Sequence, residues 1–336
     1  MALFRYSDGK LPNTLAMSYA VITYGGGLAL LLSPYLALNL LGTLLLAHGM
    51  IIAAFLIHEF AHGTIFASAK ANEWVGEFFG WMTGSCYQDF QTMRKKHMRH
   101  HVDNADVISF DPRRFLLRRP RWVQKLVLAL EWAHIPAVDL MIHYMVMLMP
   151  FFSDEPSHRA RRGKVLKIFV VRSALFALLG WLSPLALGLY ALAWMLMVCV
   201  LRLADMHQHT YEPIEQLTDG KLELPHKGDR DYEQGNTFSN LISTRWPALN
   251  LLLLNFSYHN AHHDKPVAPW YRLPALHGQL FGADYRQVIP MRELIGNYHR
   301  YRLHRVFSED YGAPQEGAQR TAQFYGAVGL SFLAVL

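Results

Sequence analysis

The chain has 336 residues, of which 52% are hydrophobic and only 17% charged, so its composition is too apolar for an ordinary soluble domain. The net charge of +6 does not indicate nucleic-acid binding, because the basic residues lie beside long apolar runs, where positive-inside membrane topology explains them better. Two cysteines without a CxxC spacing indicate neither a disulfide framework nor an iron–sulfur site.

Long apolar stretches predict membrane spans of about 20 residues each. A turn signal, Ser33-Pro34-Tyr35, separates the first two, and the sequence GWLSP at 180–184 divides a later apolar block. We therefore predict an all-α integral membrane fold, with four spans in two hairpins and a cytoplasmic helical cap, built as one domain over residues 1–336. The predicted spans are residues 15–33, 36–57, 165–182 and 185–203.

The basic residues fall on the side of the membrane opposite the two hairpin tips, which carry no charge. By the positive-inside rule that side is the cytoplasm. We expect a multi-pass protein of a bacterial inner membrane whose active site lies on the cytoplasmic face. The basic residues are Arg5, Lys10, Arg94, Lys95, Lys96, Arg99, Arg113, Arg114, Arg118, Arg119, Arg121, Arg161, Arg162 and Lys164.

Three further segments are apolar without the pattern of a span. Residues 126–150 contain Glu131 and His134, and a single crossing there would place the histidine clusters on opposite faces of the membrane. We predict an interfacial or re-entrant amphipathic helix instead. Residues 74–90 predict a second interfacial helix, and residues 323–336, which are short for a span, predict a surface-lying tail.

Histidines cluster in four short windows, each at the predicted cytoplasmic end of a span or on a loop of that face. The windows are HEFAH at 58–62, HMRHH at 97–101, DMHQH at 205–209 and HNAHH at 259–263. In the first window His58 and His62 share one helix face, so both can offer an imidazole to one metal ion. The eight imidazoles of HEFAH, HMRHH and HNAHH exceed what one catalytic zinc uses, and two metal ions with four or five ligands each fit better. Imidazole suits iron, zinc, copper and nickel, so the ligands alone do not name the metal.

HEFAH also satisfies the zinc-protease pattern H-E-x-x-H, in which Glu59 would activate a zinc-bound water. That function would leave HMRHH and HNAHH without a role. A histidine-rich metal transporter is the non-enzymatic alternative, and it would need ionisable residues along the spans. The predicted spans hold little of that kind besides His48 and Arg172.

The order HxxxH, HxxHH, HxxHH on two membrane hairpins resembles the membrane fatty acid desaturase and hydroxylase superfamily, over about residues 36–277. The resemblance implies a non-haem di-iron centre with dioxygen as co-substrate. It implies His209, in HQHTYE, as a further iron ligand and Asp205 as a residue that reaches iron through water. His207 has no counterpart, and we expect it beside the ligands rather than among them. The implied iron ligands are His58, His62, His97, His100, His101, His209, His259, His262 and His263.

Acidic residues beside the boxes are candidates to bind the second ring nitrogen of the ligands. Glu59 and Asp106 are the preferred ones, and Asp103 and Asp111 are the alternatives. Aromatic and sulfur-containing residues are candidates to line an acyl slot, and a basic run could bind the head group. The slot candidates are Trp74, Phe78, Trp81 and Met82, and the basic run is Arg113, Arg114, Arg118 and Arg119.

The implied activity is that of an oxidoreductase that oxidises a fatty acyl chain at an unactivated C–H bond. Desaturation is the favoured reaction. Hydroxylation and terminal-alkene-forming oxidative decarboxylation begin with the same hydrogen abstraction and stay open, because substrate placement decides among them. We expect a fatty acid, an acyl thioester or an acyl lipid as substrate. Electrons are expected from a separate ferredoxin, rubredoxin or b-type cytochrome with its reductase.

Overall fold

The computed structural model describes residues 2–108, 110–215, 224–282, 285–317 and 319–329, and helices predominate. The α-helices are α1 (Lys10–Leu31), α2 (Leu36–His62), α3 (Ala69–Thr83), α4 (Phe90–Asp103), α5 (Pro112–Leu117), α6 (Arg121–Trp132), α7 (Ala137–Phe152), α8 (Pro156–Ala160), α9 (Arg162–Leu182), α10 (Pro184–Asp205), α11 (Arg230–Gly235), α12 (His259–Asp264), α13 (Leu273–Leu280), α14 (Met291–Arg300) and α15 (His304–Phe307). Short 3-10 helices cover Ser7–Gly9, Ser85–Tyr87, Pro247–Leu253 and Trp270–Arg272, and two strands, β1 (Asp106–Ile108) and β2 (Pro213–Glu215), pair in parallel.

Four helices among the described residues are long and apolar enough to cross a membrane, which agrees with the predicted number of spans; their arrangement in two hairpins and the cytoplasmic cap stay predictions. They are Ser7–Leu31, Leu36–His62, Arg162–Leu182 and Pro184–Asp205. The first span begins at Ser7 rather than at residue 15, and the second ends later than predicted. That helix continues through the HEFAH window to His62, because the next residue, Gly63, adopts a left-handed conformation (φ 65°) that ends it.

The chain divides into two compact units, each assembled from separated stretches of sequence. The first unit contains Met1–Thr92 and His143–Val200, and the second contains Met93–Ile142 and Leu201–Val335. The first therefore holds most of the spanning helices, and the second holds most of the histidines. The prediction of a single domain stays a prediction.

In the first unit, glycines allow α1 and α2 to approach closely. A Cβ added to Gly42 would lie 2.8 Å from the carbonyl oxygen of Gly27. Small residues at such contacts are typical of helix pairs in membranes, where backbone packing replaces the hydrophobic effect. The turn between the helices is fixed by Asn39, whose amide donates to the carbonyl oxygens of Leu30 and Leu31 at the end of α1.

The prediction that residues 126–150 form one continuous helix is wrong, whereas the interfacial or re-entrant position of the segment stays a prediction. The segment forms two helices, α6 and α7, bent by 120° across a short break. His134 in that break has a φ of 59°, and Pro136 precedes α7, so the backbone cannot continue as a regular helix. In the second unit Glu131, at the end of α6, and Asp139, in α7, both form buried ion pairs with Arg202.

The prediction of a surface-lying tail is wrong for residues 323–329, and residues 330–336 lie outside the described residues. Phe324 is fully buried against Phe238, Ile289 and Leu294 in the second unit. The backbone N–H of Ala327 donates to the carbonyl oxygen of Met206 at 2.8 Å. The segment 74–90 is helical as predicted up to Thr83, where α3 ends; its position at a membrane surface stays a prediction.

Candidate metal centre

Four imidazoles of the second unit converge. One ring nitrogen from each of His100, His209, His259 and His263 lies within 4.8 Å of the other three. The Nε2 atom of His209 is 2.8 Å from that of His259 and 3.2 Å from that of His100. The rings come from α4, from the segment after α10 and from α12, so residues far apart in sequence form one potential metal site.

Hydrogen bonds behind the rings fix how two of these histidines are protonated. The Nδ1 atom of His100 donates to the carbonyl oxygen of Ala105 at 2.9 Å, and the Nδ1 atom of His263 donates to Oε1 of Glu233 at 2.9 Å. In a neutral ring the Nε2 atom then carries a lone pair, and both lone pairs point into the group. Nε2 of His263 is buried and has no hydrogen-bond partner among the described residues. Converging lone pairs repel unless a cation lies between them, so the group fits a metal ion.

Burial keeps these imidazoles neutral. It lowers the pKa of His100 to about 4 and lowers the pKa values of His209 and His263 well below the usual value, with neighbouring histidines adding to the effect on the last two. A metal ion binds the neutral ring, so no proton has to be displaced from these nitrogens at neutral pH.

Two buried carboxyl groups lie behind the ligands. Burial raises the pKa of Asp106 and that of Glu233 to about 7. Asp106, the predicted partner, has its Oδ1 atom 3.5 Å from Nδ1 of His100, and the Ala105 carbonyl is the nearer acceptor. Glu233 makes the closer contact with a ligand ring, and the sequence analysis missed it because it lies in α11, outside every histidine window.

A second set of imidazoles lies in the same unit. The Nε2 atom of His101 is 3.3 Å from that of His97 and 3.2 Å from that of His262. His97 and His101 share one face of α4 through their i, i+4 spacing. Three of the predicted ligands are therefore brought together here, with His262 contributed by α12.

In the first unit the two histidines of HEFAH form a pair. The rings of His58 and His62 are 4.6 Å apart at the end of α2, and both residues are buried. Oε1 of Glu59 is 3.4 Å from Nδ1 of His58 without a hydrogen bond between them, and the role of Glu59 in orienting a ligand stays a prediction. The hydroxyl of Thr64 donates to Oε2 of Glu59 at 2.6 Å and fixes the carboxylate; the sequence analysis missed this residue.

The two remaining residues of DMHQH differ in their surroundings. Asp205 lines a cavity of about 60 Å³ together with His100 and His209, which is room enough for a water molecule. His207 is fully buried, but its ring packs on Phe324 rather than on the ligand histidines, and it belongs to neither imidazole group. The expectation that His207 lies beside the ligands is therefore not met.

The candidates for the acyl slot and the residues of the basic run also differ in their surroundings. Three of the slot candidates, Phe78, Trp81 and Met82, line an apolar cavity of about 560 Å³ in the first unit, whereas Trp74 is largely exposed and does not. In the basic run Arg113 pairs with Glu309 and Arg114 pairs with Asp111, so at least two of its four charges are engaged within the protein.

These features define a helical membrane protein with four candidate spans and a histidine-rich cluster that could hold a metal ion. The model of the fatty acid desaturase family matches residues 35–295. The chain belongs to the fatty acid desaturase family, and this membership implies an oxidoreductase. No curated protein matches the chain.

Proposed function

We propose that the protein oxidises a fatty acyl chain at an unactivated C–H bond with dioxygen, and that the reaction is desaturation. The observation that carries the proposal is the convergence of the Nε2 lone pairs of His100 and His263 in a member of the desaturase family. Family membership supplies the substrate class, and the all-imidazole site supplies a place for redox-active metal.

Two irons, when bound, supply dioxygen activation and removal of hydrogen from the acyl chain. One would be held by the group of His100, and the other by the set of His101. We also propose His58 and His62 as ligands, on their burial, their spacing and the family motif, and Asp205 as a residue acting through water. The proposed ligands are His58, His62, His97, His100, His101, His209, His259, His262 and His263.

Groups of the protein itself fix the protonation and orientation of two of these ligand rings. The Ala105 carbonyl and the Glu233 carboxylate keep a proton on Nδ1 of two ligand rings, so each ring presents the same nitrogen to the metal. Because the ligands are neutral imidazoles, the buried site avoids the desolvation cost that a set of carboxylate ligands would carry.

The proposal also covers the orientation of the protein in the membrane, the source of electrons and the head group of the substrate. The distribution of lysine and arginine supports a metal centre on the cytoplasmic side of the membrane, and we propose a bacterial inner membrane as its location. We propose a separate ferredoxin, rubredoxin or b-type cytochrome as the electron donor, and a fatty acid, acyl thioester or acyl lipid as the substrate.

The test is to incubate the purified, reduced protein with acyl substrates under oxygen and to identify the products by mass spectrometry. A product lighter than the substrate by two hydrogens supports desaturation. A product with one added oxygen would replace desaturation by hydroxylation, and an alkene lacking the carboxyl carbon would replace it by oxidative decarboxylation. About two irons per chain supports the proposed site, whereas one zinc with peptide cleavage would support the protease reading of HEFAH.

A further inference from the structure

The apolar cavity of the first unit has a cationic end that the proposed metal chemistry does not use. Its walls come from α1, α3, α9 and α10, and its volume of about 560 Å³ lies within the usual range of ligand pockets. Most of the lining is Leu, Val, Phe, Trp and Met. The polar residues that line it are Tyr24, Arg172 and Tyr190.

Arg172 is buried in a predicted span without a carboxylate partner among the described residues. Its Nη1 donates to the Trp81 carbonyl oxygen at 2.8 Å and to the Cys86 sulfur at 3.8 Å, and the Tyr87 side chain is a further hydrogen-bond partner. Its guanidinium also lies over the rings of Tyr87 and Phe176. Arg172 lines the cavity, and no carboxylate among the described residues neutralises its positive charge.

Such a charge within a span is costly unless it is paired, and it therefore indicates a binding function. The hydroxyls of Tyr24 and Tyr190 hydrogen-bond to each other at 3.2 Å, so the pair leaves one O–H to donate at the same cavity. From Arg172 the cavity follows α9 to Leu182, ten residues or about 15 Å, which is about half of a hydrocarbon core. A cation with hydroxyls beside an apolar wall of this length matches a carboxylate on a long alkyl chain.

We propose that this cavity binds a long-chain free fatty acid, with its carboxylate on Arg172 and its chain along α1 and α9. A planar carboxylate is negatively charged and accepts two parallel hydrogen bonds from a guanidinium. An ester is neutral, so it cannot form this charge-assisted pair. The identification of this acid as the substrate rests on the proposed function, but its binding does not.

Binding is measured with the full chain in nanodiscs of a zwitterionic lipid, without oxygen or reductant, so that no turnover is needed. The probes are radiolabelled hexadecanoic acid and its methyl ester. The acid should bind about tenfold more tightly than the ester, and Arg172→Gln should remove that difference, as expected for one charge-assisted hydrogen bond. The matched control is Lys167→Gln, which removes one exposed positive charge from the same helix and should leave binding unchanged.

A second pair of variants tests the cavity without touching Arg172, whose loss could impair folding. Gly25 lines the cavity and a Cβ there meets nothing within 4 Å, so Gly25→Leu fills the space without a backbone clash. Gly26 has equally open surroundings but does not line the cavity. Gly25→Leu should weaken binding of acid and ester alike by about tenfold, and Gly26→Leu should weaken neither.

Equal affinity of the wild-type chain for acid and ester would overturn the proposal, and so would unchanged binding in Gly25→Leu. Tighter competition by hexadecyl phosphate than by the acid would assign Arg172 to a phosphate head group and overturn the carboxylate assignment. If the acid binds as expected but the reduced protein oxidises no acyl chain, the proposed function fails and the cavity assignment stands. If the reduced protein oxidises an acyl chain but binds acid and ester alike, the cavity assignment fails and the proposed function stands.

Discussion

Oε1 of Glu233 lies 2.9 Å from Nδ1 of His263, so a carboxylate of α11 orients a ring of α12 toward the candidate metal centre. Partners of this kind fix the tautomer of a ligand and raise its basicity, and their loss commonly lowers metal affinity 10- to 100-fold. Substitution of Glu233 therefore tests the candidate metal centre, as substitution of the histidines does.

We expect Glu233→Ala to lower iron affinity by about one to two orders of magnitude, because His263 loses the acceptor for its Nδ1 proton. Glu233→Gln should retain part of the affinity, since the amide oxygen can accept the same hydrogen bond. Iron retention is measured against a graded series of chelator concentrations. Glu293→Ala is the control, because Glu293 pairs with Arg320 at a half-exposed site of the same unit. Equal iron retention in all three variants would contradict the role of Glu233.

Replacing a histidine in either imidazole group should reduce bound metal. We expect His100→Ala and His262→Ala each to lower the iron content from about two per chain to about one or less, because one ring is removed from one group. The measurement is elemental analysis of the purified protein. His277→Ala is the control, since that ring packs on Tyr258 and Phe281 outside both groups. Full iron content in both test variants would refute the assignment of the ligands.

The buried ion pairs of Arg202 are expected to govern stability. Both guanidinium Nη atoms donate to Glu131, at 2.5 and 2.9 Å, and the same carboxylate accepts from the backbone N–H of Val138. Glu131→Ala should therefore lower the free energy of unfolding by about 3 kcal/mol, because it leaves a buried charge and a buried N–H without this partner. Thermal unfolding in detergent measures the change. Asp154→Ala, which breaks an exposed pair with Arg159, should leave the melting temperature where it is.

The contact between α1 and α2 should not tolerate a methyl group. In Gly42→Ala the new Cβ would lie under 3.0 Å from Gly27 backbone and from Cβ of Leu30, so we expect a loss of about 1–3 kcal/mol in unfolding free energy. In Gly26→Ala the new Cβ meets nothing within 4 Å, and stability should be unchanged or raised. Thermal unfolding of the two variants side by side gives the comparison. Similar melting temperatures of Gly42→Ala and Gly26→Ala would contradict the expectation that the contact of α1 and α2 does not tolerate a methyl group at Gly42.

The spans and the histidine groups were predictable because each depends on a pattern that is local in the chain. Apolar length marks α2 and α9, and the spacing of His97 and His101 places both rings on one face of α4. Glu233 was not predictable, because its contact with His263 joins residues 30 positions apart without any motif.

The failures have physical causes of the same kind. Apolar content alone suggested one helix over 126–150, whereas the left-handed conformation of His134 breaks it. His207 lies two residues before a candidate ligand, but its ring packs on Phe324, a contact that no local pattern announces. Phe324 itself belonged to a short apolar stretch whose burial depends on partners as distant as Phe238.

The four converging imidazoles come from widely separated points of the chain, which has a consequence for biosynthesis. The candidate span that includes His58 and His62 leaves the ribosome early, but His259 and His263 emerge after all four candidate spans have been made. A nascent chain with every span already inserted still lacks two rings of this group. Under the proposed function, iron loading at the group of His100 follows synthesis of the four candidate spans and is a maturation step of the nearly finished polypeptide.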